Sequence, residues 1–183
     1  MNKLFYLLLF LLTLNFGCTE FEDQEVKAVP VGSPPDQELF DYVTTETEDG
    51  AKKWVLTSDK LQKFADSDDV QLFELKMEFF DNDELTSTIT SRRGKANLGS
   101  GKLFAWNEVV VISEDGRKLE TEELHYDDES GLIVNDVFDR FTRGSDVMTG
   151  YGMEATPELD YFELKDQVKA FVISEDDQKE SVE

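Results

Sequence analysis

Disulfides and thiolate metal sites are the first things this sequence forgoes, because it has one cysteine, Cys18, and one histidine, His125. An intramolecular disulfide is impossible, and a Cys/His zinc cluster cannot be assembled. Basic residues are scarce too: 18 Lys and Arg face 41 Asp and Glu, for a net charge of −23 at pH 7. So acidic a surface repels phosphate backbones, which excludes nucleic acid as a partner. Catalytic signatures are missing. There is no G-x-S-x-G, no H-E-x-x-H and no phosphate-binding glycine loop. Acidic pairs such as Asp127-Asp128 arise by chance in a chain with 41 carboxylates. His125 has no second histidine or cysteine near it. The expectation is therefore no enzyme, no metal and no cofactor.

What is present begins with an export signal. Lys3 precedes the apolar run Leu4–Leu12, and the small residue Gly17 follows. This reads as a secretory signal peptide over residues 1–17, too short to span a bilayer, which takes roughly 20 residues. Cys18 directly after it resembles the lipobox of bacterial lipoproteins, although Asn15 stands where leucine is usual. A lipidated Cys18 would hold the chain at a membrane; ordinary cleavage leaving a free thiol is the alternative. Residues 18–41 are polar, acidic and contain Pro30, Pro34 and Pro35, the composition of a flexible tether. Residues 174–183 read as a disordered acidic tail.

Between them, residues 42–173 are enough for one β domain with its own core. Phe73, Leu75, Met77 and Phe79 alternate with Glu74, Lys76 and Glu78, the period of a half-buried strand. Asp81-Asn82-Asp83 reads as a turn and Leu85–Ser91 as the returning strand. Lys60–Asp66 fits a helical turn or a strand edge equally. Leu132–Asn135, Val137–Thr142, Val147–Met153, Tyr161–Leu164 and Val168–Ile173 continue the series.

Register can be read in the ribbon that begins at Leu103. A three-residue loop, Glu114-Asp115-Gly116, pairs Val111 with Leu119 and Val109 with Thr121, with Gly116 in the left-handed position. A two-residue loop would set both valines opposite glutamates, so the apolar match favours the longer loop. The same register pairs Trp106 with Leu124 and Phe104 with Tyr126, on the opposite face. The expectation is a long ribbon that changes its buried face near Asn107-Glu108 and Glu122-Glu123; compensating bulges would leave the same trace.

Val109-x-Val111, Asp115-Gly116, Leu119-x-Thr121, Leu124-x-Tyr126, Gly131-x-Ile133 and Val147-Met148-Thr149-Gly150-Tyr151-Gly152 together resemble the LptC family of lipopolysaccharide-export proteins. Trp54-x-Leu56, Phe79-Phe80 and Glu154–Leu159 agree with it. The resemblance covers roughly Trp54 to Val172. It implies an all-β domain: an open β-jelly-roll, a twisted antiparallel β-sandwich, standing in the periplasm. Its implied partners are lipopolysaccharide, an inner-membrane ABC transporter, and a periplasmic bridge β-jelly-roll joined by strand-edge pairing. The family keeps an uncleaved membrane helix, so a lipidated Cys18 would be a departure, with the inner membrane favoured as its anchor.

On this reading the lipid-binding candidates are Leu75, Met77, Phe79, Ile89, Val109, Val111, Leu119 and Tyr126, apolar residues at alternating strand positions. The same side chains would equally build a closed core. Gly150 and Gly152 match the family's glycine pair, with close packing or a strand edge as their role. Arg92-Arg93-Gly94-Lys95 is the densest basic cluster and the local candidate for touching an anionic headgroup. Two alternatives stand beside lipid transport: a membrane-anchored β-sandwich lipoprotein for scaffolding or adhesion, and a secreted hydrolase, which would need converging polar groups.

Overall fold

A computed structural model describes residues 34–65 and 67–171. The stretches read as signal peptide and acidic tail, together with Cys18 and the start of the stretch read as tether, lie outside the described residues. Nine antiparallel strands form one sheet in sequential order: β1 (Gln37–Glu48), β2 (Ala51–Lys63), β3 (Val70–Asp81), β4 (Glu84–Asn97), β5 (Lys102–Ser113), β6 (Lys118–Asp127), β7 (Leu132–Arg143), β8 (Asp146–Ala155) and β9 (Phe162–Phe171). The fold is all-β and open at both edges, as the sequence led us to expect.

The strands turn tightly at one end of the sheet. Asp49-Gly50 and Asn82-Asp83 are two-residue hairpin turns with positive φ at both positions, the backbone twist such turns require. Glu114-Asp115-Gly116 is the three-residue loop expected, with Gly116 at φ 85 and Val111 paired with Leu119. Longer loops join the strands at the other end. We call the two portions of the sheet the tight-turn half and the loop half.

Each strand is broken midway, and the breaks line up across the sheet. In β3, Val70 and Leu72 are buried, then Leu75, Met77 and Phe79; the phase changes at Glu74, whose φ is 51. β2 changes phase at Asp59, and in β6 burial passes from Leu119 and Thr121 to Leu124 and Tyr126. In β5 the break is Asn107-Glu108, both left-handed at φ 66 and 57. Two residues of β5 there oppose one of β6, a bulge that shifts the register by one.

This corrects the expectation of a ribbon that changes face. Beyond the bulge Leu103 pairs with Tyr126 and Ala105 with Leu124, all four buried, so the apolar side stays inward. Trp106 pairs with Glu123 and Phe104 with His125, on the outer side. The aligned breaks act as a crease that folds the loop half over the tight-turn half. Side chains then meet across the interior: Phe79 packs edge-on against Tyr126 at 5.0 Å, and Phe141 stacks on Phe162 at 4.2 Å.

Three boundaries differ from the sequence reading. β1 begins at Gln37, within the stretch read as tether, because it is held by pairing with β2 and shows no buried alternation. Lys60–Lys63 is strand, the end of β2. The segments read separately at Tyr161–Leu164 and from Val168 form one strand, β9, interrupted at Gln167 with φ 51.

Candidate functional site

The interior is bounded by two apolar rows. In the tight-turn half, register runs Leu56, Met77, Ile89, Val111, Leu119, Phe141 across β2 to β7. In the loop half it runs Ala96, Leu103, Tyr126, Ile133, Ala155, Phe162 across β4 to β9. All eight residues singled out from sequence, Leu75, Met77, Phe79, Ile89, Val109, Val111, Leu119 and Tyr126, are buried in this one cluster. Apart from Tyr126, the facing row was not singled out. Its signal, alternation restored once the crease residues are counted as bulges, is visible only when the bulges are known.

The two walls touch. Between Trp54, Leu56, Met77, Ala96, Leu98 and Leu103 the remaining void is about 10 Å³, at the lower limit for a single water. At this place the chain's own side chains close the gap, and this apolar seam is where the two halves meet at a rim.

A polar clasp closes the seam. Asp128, in the β6–β7 turn, accepts hydrogen bonds from Trp54 Nε1 (3.0 Å), Tyr126 Oη (2.9 Å) and Lys53 Nζ (3.0 Å). Burial opposes ionisation of Asp128, but the bonds from Lys53, Tyr126 and Trp54 outweigh it and hold its carboxyl below the ordinary range. Burial, then the Asp128 hydrogen bond, pushes the Tyr126 phenol well above its usual value, so it serves as a donor. Gly101 lies against the clasp, where an added Cβ would stand 2.5 Å from Asp128 Cβ. Asp128, set aside above as half of a chance acidic pair, is therefore the centre of a contact between the halves. A second contact sits at another rim, where Arg117 donates to the Leu159 carbonyl (2.7 Å) and to Asp160 (2.6 Å).

A buried polar knot lies at the crease in β7. Asn135 donates to Thr121 Oγ1, the Glu123 carbonyl and Asp139 Oδ1, and accepts from the Met153 N–H. Asp139 is fully buried with Oδ2 unpartnered, and desolvation raises its carboxyl above the ordinary range. Of the glycine pair, Gly150 is a close approach, since a Cβ there would stand 2.9 Å from the Asp166 carbonyl. Gly152 takes φ 68, a conformation costly for any residue with a Cβ. Both serve the β8–β9 end of the crease. His125 lies on the outer face, stacked on Phe104 at 4.3 Å.

Among the described residues the sheet's two edges are uncovered: β1 exposes Leu39, Phe40 and Val43, and β9 exposes Val168 and Phe171. Each edge strand has one neighbour only among them, which leaves one side of its backbone without a partner strand there. No curated protein matches the chain. A family model described as "Lipopolysaccharide-assembly, LptC-related" matches residues 5–172.

Proposed function

The chain belongs to the LptC-related family of lipopolysaccharide assembly, and from this premise we propose a non-enzymatic periplasmic subunit that relays lipopolysaccharide from an inner-membrane ABC transporter to a β-jelly-roll bridge. The observation that carries the reading is the pair of apolar edges left uncovered among the described residues. Phe40 and Val43 on β1 are 67% and 61% exposed, and Phe171 on β9 is 63% exposed. A sheet with a free strand at each side can add a partner strand at either, continuing one roll into the next. Cys18 would tether the domain to the membrane, with the inner membrane favoured.

Acyl chains would enter at the seam by parting Trp54 and Met77 from Leu98 and Leu103. Each CH₂ buried there contributes about 0.8 kcal/mol, in exchange for contacts that the two walls now make with each other. Opening would also break the Asp128 clasp, so lipid entry and clasp release are coupled. The closed seam favours a second reading, a membrane-anchored β-sandwich lipoprotein that scaffolds. Photo-crosslinkers at Met77 and Val111, with exposed Thr90 as control, separate the two in cells. Transport requires lipopolysaccharide adducts at the interior positions. Their absence at both, with crosslinks from Phe40 to protein alone, would establish scaffolding.

A further inference from the structure

The outer face of the loop half carries a feature that relay of acyl chains does not use. Lys60, Phe73, Arg93 and Trp106 lie in one straight cross-strand row over β2 to β5. Lys60 Nζ and Arg93 Cζ sit 4.2 and 4.1 Å from the centre of the Phe73 ring. A shallow groove of about 340 Å³ opens here, with Phe73, Arg93 and Trp106 joined by Gln71 and Asn107. Phe104 stacks behind Trp106 at 5.0 Å and braces the indole.

Among the described residues, Arg92 pairs with Glu108 and Lys95 with Asp69, whereas Lys60 and Arg93 have no carboxylate partner. Both rest on the one Phe73 ring, and Arg93 lines the groove, so an anion entering there meets cations that no carboxylate neutralises. A guanidinium lying against an aromatic ring still offers its N–H edge in plane, the geometry that grips a phosphate through two hydrogen bonds. Two carboxamides supply hydroxyl partners, and an aromatic wall suits the apolar face of a sugar ring.

We propose that this groove binds a phosphorylated saccharide, the sugar head of a glycolipid. Charge selects this occupant. A net charge of −23 repels an extended anionic surface or polymer, whereas a small ligand meets only the local cations. Glu123, the cross-strand partner of Trp106, would meet a flat anionic bilayer unfavourably. The proposal deepens the transport reading, on which it rests for the source of the saccharide. Binding of the acyl-free head itself needs no interior cavity.

The test titrates the full chain with glucose 1,6-bisphosphate, glucose, inorganic phosphate or vesicles of phosphatidylglycerol. The readouts are the NMR signals of the Trp106 indole N–H and the Arg93 Nε–H. The bisphosphate is expected to shift both saturably, with glucose and phosphate each at least tenfold weaker. Lys60→Ala with Arg93→Ala should weaken the bisphosphate tenfold or more. So should Gln71→Glu, an exposed position at which a hydroxyl-binding carboxamide is exchanged for a repelling carboxylate. Unchanged affinity in both variants overturns the proposal, as does phosphate binding as tightly as the bisphosphate. Vesicles shifting Trp106 where the bisphosphate does not would overturn it in favour of a membrane surface. The probe has no acyl chain, so failure here leaves the Met77 crosslink intact, and failure of that crosslink leaves this binding intact.

Discussion

Leu119 and Phe40 are both large apolar residues on strands, yet Leu119 is fully buried and Phe40 is 67% exposed. The difference lies in what covers them. β6 sits mid-sheet under the folded-over loop half, whereas β1 is an edge with one neighbour among the described residues. Alternation therefore reports which way a side chain points, and the second layer decides whether that direction is inside. Leu119→Ala should cost about 2–5 kcal/mol in urea unfolding, since it opens a cavity between close-packed rows. Phe40→Ala should stay within about 0.5 kcal/mol. An equal loss at both sites would break the comparison, because it would mean that β1 is covered in solution.

The same comparison explains what could be read from the residues alone. β3 to β6 were legible because one of their faces is buried, so a one-residue slip would have placed Val111 opposite Glu120. β1 was not, since Gln37–Asp41 shows neither alternation nor burial and is ordered only by its partner strand. For the candidate site, the tight-turn wall from Met77 to Leu119 was recoverable from period two. The loop-half wall was hidden, because the bulge at Asn107-Glu108 offsets the pairing downstream and sets Leu103 and Ala105, rather than Phe104 and Trp106, opposite Tyr126 and Leu124. The clasp was hidden for another reason: Trp54 and Asp128 are 74 positions apart and meet only after the sheet folds.

That contact offers a sharper test of the two halves. Asp128→Ala should cost roughly 1–3 kcal/mol, because it strands the Trp54 and Tyr126 donors at a half-buried site. Its pH signature has a definite sign. The carboxyl is held below its ordinary value in the fold, so its contribution is present above that range and is lost as pH falls through the lowered one. If the clasp gates lipid entry, the variant should also crosslink more lipopolysaccharide at Met77 than the parent does. Unchanged crosslinking would limit the clasp to stability.

Asp139 has the opposite sign. Desolvation raises its carboxyl, so the stability belonging to the protonated form is full below its ordinary value of 3.8 and fades as pH rises through the raised one. Asp139→Asn keeps the shape and removes the charge. It should gain about 1 kcal/mol at neutral pH and flatten that part of the stability curve, by denaturant titration at a series of pH values. A loss at neutral pH would mean that the ionised form is needed by the Asn135 knot.

The smallest effect concerns the crease that makes the halves face each other. Glu74 holds φ 51 with its side chain in solvent, so no contact of that side chain repays a conformation that L-residues avoid by about 1–2 kcal/mol. Glu74→Gly removes the steric penalty but adds unfolded-state entropy, so a net gain of no more than about 0.5 kcal/mol is expected. Glu74→Val, β-branched and unable to adopt this φ cheaply, should lose about 1–2 kcal/mol. Thermal melts of the two variants bracket the strain. If valine is tolerated as well as glycine, β3 does not need a left-handed residue to change phase, and the fold-over must be driven by the facing apolar rows alone. If the two diverge as expected, the crease is set locally by backbone conformation, and the rows close onto a bend that the strands already possess.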